Sequence, residues 1–202
     1  MMLEAIETIK RGDEELRIIQ DLDPLSPRDW DNLGTMVCFH SRYDLGDHDH
    51  DFWEHSGGDV EGLLEYVNRD DVIALPLCLY DHSGISMSCS SFIGRAQHAE
   101  WDSGQVGYIF VTKERVREVY GVKRISPKLL ETVTHNLKCE VDTYDQYLRG
   151  DIYGYQIVKL VKCECCGAVD EEHIDSCWGF YGDDIKTNGM LDHVGEEWSD
   201  AA

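Results

Sequence analysis

The acidic residues of this chain are unevenly distributed, and their distribution limits which part can form a buried core. The 202 residues carry 40 acidic and 18 basic side chains, a formal net charge of −22. Residues 1–72 have a net charge of −13 and residues 161–202 of −9, whereas residues 73–160 are neutral. Self-repulsion of this size destabilises a compact chain. We therefore expect a scaffold in the neutral middle and acidic surfaces from both ends.

The composition indicates a folded cytoplasmic protein. Hydrophobic residues make up 42% of the chain and aromatic residues 10%, which is too apolar for a disordered protein. No apolar run approaches the roughly 20 residues of a membrane span, and the acidic N-terminus does not have the form of a signal peptide. In the cytosol the eight cysteines are expected to be free thiols or metal ligands rather than disulfides.

The order of the sequence patterns is typical of an α+β fold with a largely antiparallel sheet and two or three helices. Residues 3–20 have apolar residues near helical spacing, interrupted by Gly12. We predict strands at 35–40, 72–80, 85–88, 105–111 and 151–162, a short helix capped by Asp59, and helices beginning after Thr112 and Ser126. We predict one domain over residues 1–162, with a cysteine-rich hairpin and acidic tail over 163–202.

Cysteine and histidine residues near the C-terminus have the spacing of a metal site. Cys163, Cys166, His173 and Cys177 form the pattern C-x₂-C-x₆-H-x₃-C. Two such pairs can complete a tetrahedron around zinc, and four protein ligands leave no position for a catalytic water. We therefore predict a structural zinc ion in a small C-terminal hairpin, with Cys165 as the alternative to His173. Inert thiols and redox-active thiols are the alternative interpretations.

The net charge favours a basic protein surface as the partner. Nucleic acid is a poor partner because its binders need a basic stripe, and the oligomeric state is left open. A solvated acidic surface without a partner is the alternative. The acids expected to face the partner are Asp44, Asp47, Asp49, Asp51, Glu54, Asp59 and Glu61, with Glu171, Glu172, Asp183 and Asp184 near the C-terminus.

Two further patterns are relevant to a partner-binding surface. Residues 47–51, which alternate aspartate and histidine, are expected to be a solvated loop, with a divalent-metal site as the alternative. Tyr144 and Tyr147 lie among charged residues, which is typical of a protein interface. Packing at a helix–strand corner explains the two tyrosines equally well.

A hydrolase is the alternative functional class. His82 lies in an Asp-His-Ser-Gly segment, and Asp102 and Ser103 lie in a Trp-Asp-Ser-Gly segment. A serine on a glycine turn can be activated by a distant histidine. However, the chain has no G-x-S-x-G motif and its order of residues matches no known triad. We therefore expect a protein that is not an enzyme.

Several blocks resemble stretches in uncharacterised proteins of bacterial viruses and mobile elements. They are residues 31–38, 79–85, 101–107, 144–154 and 175–182. The resemblance implies a viral or mobile-element origin, where small acidic proteins include anti-restriction and anti-CRISPR inhibitors, several of which imitate DNA. The expectation is an anti-defence inhibitor that blocks DNA access to a host nuclease complex in the host cytoplasm. An acidic adaptor for another protein is a further alternative.

Overall fold

The chain forms two compact units, each with its own four-stranded antiparallel sheet. In the computed structural model, the described residues are 4–48, 58–195 and 198. The first unit consists of Met1–Leu25 and Gly150–Ala202, and the second unit of Ser26–Arg149. The predicted boundary between residues 162 and 163 lies at the end of a strand of the first unit.

The helices and strands confirm the predicted α+β class. In chain order they are β1 (Ala5–Arg11), β2 (Glu14–Gln20), β3 (Thr35–Cys38), α1 (Val60–Val67), β4 (Val72–Asp81), β5 (Ile85–Ser88), α2 (Ala99–Asp102), β6 (Ser103–Thr112), α3 (Lys113–Tyr120), α4 (Pro127–Arg149), β7 (Ile152–Lys162) and β8 (Val169–Tyr181). The sheet of the first unit has the order β1-β2-β7-β8, and that of the second β3-β6-β4-β5. Within the described part of the chain, no helix is long and apolar enough to cross a membrane.

The first two strands correct the interpretation of residues 3–20. Their apolar residues have near-helical spacing, yet they form a hairpin in which Arg11 pairs with Glu14. Gly12 occupies the two-residue turn with φ +64°, a left-handed conformation that favours glycine. In β2, Leu16 and Ile18 then point to one face of the sheet, where burial outweighs the weak helical pattern.

The core of the first unit covers one face of its sheet. Strands β2, β7 and β8 contribute apolar residues to it, and the segment that follows β8 packs against them. Because burial of each large apolar side chain contributes roughly 1.5–3 kcal/mol, this segment is part of the fold. The buried residues are Leu16, Ile18, Tyr155, Ile157, Phe180, Ile185, Met190, Val194 and Trp198.

Helix α4 forms the core of the second unit against the β3-β6-β4-β5 sheet. Its N-cap is Ser126, whose hydroxyl accepts the N–H of Leu129 at 3.2 Å, as the Ser-Pro signal predicts. Gly34 allows the close approach, because a Cβ there would lie 2.5 Å from Leu137 Cδ2. The buried stripe of the helix is Val133, Leu137, Val141 and Tyr144, at spacings of four, four and three residues, and it packs with Met36, Leu77 and Ile109.

Two shorter helices have the predicted caps. The Asp59 carboxylate accepts the Gly62 N–H at 2.8 Å at the start of α1. The Thr112 hydroxyl accepts the Arg115 N–H at 3.2 Å at the start of α3, and Gly121 ends that helix with φ +63°. These boundaries follow from local chemistry, which is why the sequence predicts them.

Candidate functional site

The second unit contains a cleft that gathers four of the predicted partner residues. The cleft has a volume of about 610 Å³ and includes Asp44, Asp47, Tyr144 and Tyr147. We call it the acidic cleft. Its complete lining is Ser26, Arg28, Asp29, Trp30, Asp31, Asn32, Gly34, Thr35, Asp44, Gly46, Asp47, His48, Tyr144 and Tyr147. Two loop segments and the end of α4 therefore meet at one place.

The floor of the acidic cleft is a buried ion-pair network around Arg28. The side chain of Arg28 is 4% exposed; its Nε donates to Asp47 Oδ1 at 2.7 Å and its Nη1 to Glu140 Oε2 at 3.1 Å. Burial opposes the charge, but these two carboxylates raise the pKa of the Arg28 guanidinium above its usual value. Because two carboxylates face one guanidinium, the network carries a net negative charge.

Asp47 differs from the expectation for residues 47–51. Its side chain is only 16% exposed, and its Oδ2 accepts the backbone N–H of Met36 at 2.8 Å. The expectation of a solvated loop is therefore wrong for Asp47, because a buried guanidinium holds the carboxylate inside the fold. Asp49 and Asp51 lie outside the described residues.

The rim of the acidic cleft combines exposed carboxylates with aromatic rings. Asp29, Asp31 and Asp44 are exposed, and Trp30 is 51% exposed beside them. Asp44 Oδ1 lies 3.5 Å from an imidazole nitrogen of His48. Carboxylates next to an aromatic face attract cations by both Coulombic and cation–π interactions. The chemistry of the rim thus favours a guanidinium or ammonium group.

The two tyrosines of the acidic cleft have different environments. Tyr144 is 4% exposed, and its phenol oxygen accepts the Gly46 N–H at 3.0 Å. Burial raises the pKa of Tyr144 to about 12. Tyr147 is half-buried and stacks on Tyr144 with ring centroids 6.0 Å apart. Tyr144 therefore belongs to the core, as the packing alternative predicts, and Tyr147 carries the accessible aromatic surface of the pair.

Other predicted partner acids have roles within the protein. Glu171 pairs with Arg17 at 2.6 Å, and Asp59 caps α1. Asp184 accepts the backbone N–H of the residue two positions later at 3.0 Å. Glu61, Glu172 and Asp183 are exposed, and Glu54 lies outside the described residues. Asp59, Glu171 and Asp184 are thus exposed acids that each have a hydrogen-bond or ion-pair partner within the protein.

The first unit contains a cluster of thiols at the turn between β7 and β8. The sulfur atoms of Cys163, Cys165 and Cys166 all lie within 4.8 Å of one another, so they can hold a metal ion. We call this segment the cysteine turn. The Cys163 N–H donates to the Ala168 carbonyl at 2.7 Å, and the Gly167 N–H donates to the Cys163 carbonyl at 2.9 Å. Backbone hydrogen bonds therefore close the turn.

The thiols of the cysteine turn differ in acidity. The Cys163 and Cys165 sulfur atoms are 3.0 Å apart. Hydrogen bonding from Cys165 and from the backbone N–H groups of the turn lowers the pKa of Cys163 to about 6, and the pKa of Cys165 is raised by the same pairing. A thiolate is the form that binds metal. The hydrogen bonds of the turn therefore favour the metal-binding form of Cys163.

His173 and Cys177, the other predicted ligands, lie along β8 instead. His173 pairs with Val158 and Cys177 with Tyr155 in the strand ladder. At about 3.3 Å per residue, His173 is roughly 13 Å and Cys177 roughly 26 Å along the strand from Val169, where β8 begins. The structure thus brings Cys163 and Cys166 together with Cys165, and it does not bring them to His173 or Cys177.

The residues of the hydrolase alternative are partly assembled in the second unit. His82 Nδ1 lies 2.8 Å from Asp102 Oδ2, and both side chains are partly exposed. The Ser103 hydroxyl donates to the carbonyl of Ala99 at 2.6 Å, so it is directed to the backbone rather than to the imidazole. The structure provides a histidine–aspartate pair, without a serine hydrogen-bonded to it.

The backbone beside this pair is strained. Among the described residues, Ser83 (φ +60°) and His98 (φ +57°) are the non-glycine residues with positive φ. Ser83 follows His82 in the chain, and the His98 ring lies 5.9 Å from that of His82. Strained backbone of this kind is often found at functional sites.

No protein family, curated protein or solved structure matches this chain. The resemblance to proteins of bacterial viruses and mobile elements therefore rests on the sequence blocks alone. Function must be argued from the geometry and charge of the chain itself.

Sequence reasoning missed several residues of the acidic cleft. Asp29-Trp30-Asp31 alternates acidic and aromatic residues next to a Ser-Pro start, and this signal was available. Arg28 and Glu140 carried no such signal. Their pairing joins residues 112 positions apart, which only the packing of α4 reveals.

Proposed function

We propose that this protein is a phage-type anti-defence inhibitor that binds a basic, nucleic-acid-binding surface of a host nuclease complex and blocks access of DNA. The supporting observation is the acidic cleft, whose lining includes Asp29, Asp31, Asp44 and Trp30 and whose floor carries a net negative charge. A DNA-binding surface presents arginine and lysine side chains to phosphates. The cleft offers carboxylates and an aromatic ring to the same side chains.

The charge of both units supports this mechanism. The first unit contains 19 acidic and 6 basic residues, and the second unit 21 and 12. Exposed charges attract a basic surface over a distance of about 8 Å at physiological ionic strength, which accelerates association. Single exposed carboxylates contribute little, so the effect depends on groups of acids. The protein would thus imitate the charge of DNA through clustered carboxylates in the host cytoplasm.

The test measures binding to a basic nuclease complex at several salt concentrations and compares two variants of equal net charge. Asp29, Asp31 and Asp44 are changed together to Asn, and the control changes the exposed Glu65, Glu114 and Glu131 to Gln. We expect the cleft variant to raise Kd by about tenfold or more, or about 1.4 kcal/mol, and the control much less. If the two variants bind equally well, the adaptor alternative is favoured. The same conclusion follows if binding does not depend on salt and Tyr147→Ala abolishes binding.

Zinc is the ion that fits the cysteine turn best in this proposal. Zinc accepts thiolate ligands without redox chemistry, and soft thiolates select it over magnesium or calcium. Elemental analysis of the purified protein should find about one zinc per chain. Cys166→Ser should release it, and a metal-free parent protein would contradict the assignment.

A hydrolase is the second candidate, and the His82–Asp102 pair favours it. Asp102 can orient His82 so that its other ring nitrogen accepts a proton from water, with no serine required. A panel of ester and phosphodiester substrates tests this function. His82→Gln and Asp102→Asn should abolish turnover, while Ser103→Ala should retain it. This role is excluded if the protein hydrolyses no substrate of the panel. It is also excluded if the activity persists in both the His82→Gln and the Asp102→Asn variants.

A further inference from the structure

We propose that the ion at the cysteine turn is held by only three protein ligands, the thiolates of Cys163, Cys165 and Cys166. Its fourth coordination position is open to an imidazole or thiolate from another molecule. This inference rests on metal binding at the cysteine turn, which forms part of the proposed function. It differs from the closed four-ligand site that the sequence spacing predicts.

The first support is the composition of the ligand group. Among residues 4–48, 58–195 and 198, no fourth Cys, His, Asp or Glu joins the three sulfur atoms within 4.8 Å. Zinc sites with three protein ligands keep the fourth position for water or an exchangeable group, whereas structural sites fill all four. The cysteine turn therefore has the ligand number of an open site.

The second support is the register of the hairpin. Residue pairs from Lys162–Val169 to Val158–His173 are formed in the ladder, and His173 Nε2 lies 3.1 Å from Ser176 Oγ. Moving His173 to the turn would break these strand pairs. Cys177 lies farther along and packs against the core of the first unit. Neither residue can reach the ion while β8 remains paired.

The third support is the accessibility and charge of the turn. Cys165 and Cys166 are exposed, so a ligand from solvent or from a partner protein can reach the ion. Three thiolates and a divalent ion have a net charge of −1. The side chain of Lys162 lies beside the turn, with its Cε 3.9 Å from where a Cβ on Gly167 would be. A cationic side chain therefore lies at the same turn as the excess negative charge.

Cobalt(II) substitution of the full chain tests the ligand set, because thiolate ligands give an intense charge-transfer absorbance. Cys165→Ser should remove at least one third of this absorbance, since one of three thiolates is lost and the remaining two hold the ion less tightly. Cys177→Ser and His173→Ala are the matched controls and should leave it unchanged. If either control loses charge-transfer absorbance while Cys165→Ser retains all of it, the assignment of Cys163, Cys165 and Cys166 as the ligands is wrong.

The parent protein gives a second measurement that does not depend on the folding of a variant. Alkylation followed by mass spectrometry should show metal-dependent protection of Cys163, Cys165 and Cys166. Modification of Cys177 should be the same with and without metal. Metal-dependent protection of Cys177 instead of Cys165 would overturn the proposal.

Added imidazole tests the open position. Imidazole should shift the visible ligand-field bands of the cobalt protein without loss of the thiolate charge-transfer absorbance. The absence of such a shift would show that the site is closed and would refute the open position. Absence of zinc from the isolated protein, with three-thiolate cobalt binding intact, would contradict only the zinc assignment. Zinc present but retained in full by Cys165→Ser would contradict only the ligand set.

Discussion

The acidic cleft and the cysteine turn are assembled in opposite ways. The cysteine turn takes its three thiols from four consecutive residues of one hairpin. The acidic cleft takes its floor from Arg28, Asp47 and Glu140, which are brought together by the packing of α4. A local site depends on turn geometry, and a composite site depends on the tertiary fold. The two sites should therefore respond differently when the fold or the metal is perturbed.

The largest expected effect is at the floor of the acidic cleft. Arg28→Met should destabilise the second unit by about 3–5 kcal/mol, because the largely buried carboxylates of Asp47 and Glu140 would lose the guanidinium that compensates their charge. Urea unfolding measures this change in the free energy of unfolding. The control is Arg42→Met, since the Arg42–Asp81 ion pair is exposed on its arginine side and is worth about 0–1 kcal/mol. Equal effects of the two substitutions would show that the floor is not a composite network.

A smaller effect should separate the two tyrosines of the acidic cleft. Tyr144→Phe removes the acceptor of the buried Gly46 N–H, at a cost of about 1–3 kcal/mol. Tyr147→Phe should change the unfolding free energy by less than about 0.5 kcal/mol. Thermal and urea denaturation of the two variants and the parent protein measure both changes in the free energy of unfolding. If Tyr147→Phe has the larger effect, the assignment of core and surface rings is reversed.

The first unit should show an acid-dependent effect through Arg17. Hydrogen bonds from Lys10 and Arg17 lower the pKa of Glu15 below 4.5, and those from Arg17 lower the pKa of Glu171. Because these folded-state pKa values are depressed, the stabilisation exists above pH 4.5 and is lost as the pH falls through the lowered values. Arg17→Gln should therefore cost about 1 kcal/mol at pH 7 and progressively less below pH 4.5.

Unfolding experiments at several pH values measure this difference. The control is Lys159→Gln, whose ion pair with Asp13 is exposed at 3.6 Å. A cost of Arg17→Gln that stays constant down to pH 3 would contradict the charge-based explanation.

The smallest effect is expected on removal of metal from the cysteine turn. Ligands from four consecutive residues are nearly as available in the unfolded chain as in the folded one, so metal binding stabilises the fold little. Chelation should lower the Tm by less than about 2 °C. If His173 and Cys177 were metal ligands, metal binding would be coupled to formation of the β8 ladder. A much larger decrease in Tm on chelation would support that ligand set.

The accuracy of the sequence-based predictions depended on the range of the interactions involved. Helix α3 was predicted at both ends, because the Thr112 cap and the left-handed Gly121 act within a few residues. The first hairpin does not follow from the sequence pattern, because a few apolar residues of β1 and β2 have helical spacing and Gly12 resembles an interruption of a helix rather than a turn. Local chemistry was thus sufficient for capped helices and insufficient where two patterns compete.

The candidate sites follow the same rule. The spacing of Cys163 and Cys166 was enough to predict a metal site, but the distance from that turn to His173 is set by the β7–β8 register. The acids were visible in the sequence, but their exposure was not. Asp47 is ion-paired with Arg28 and is largely buried, whereas Glu171 is ion-paired with Arg17 but still partly exposed, and Asp44 is almost fully exposed.

The sequence by itself determined the acidic character, the α+β class, the capped helices and the thiol-rich turn, because each depends on composition or on residues close together in the chain. Only the tertiary structure decided which carboxylates are ion-paired, that His173 and Cys177 lie away from the cysteine turn, and that residues 28–48 and 140–147 form one cleft. The physical reason is that ion pairing, burial and strand register join residues far apart in sequence, and a linear pattern does not contain those distances.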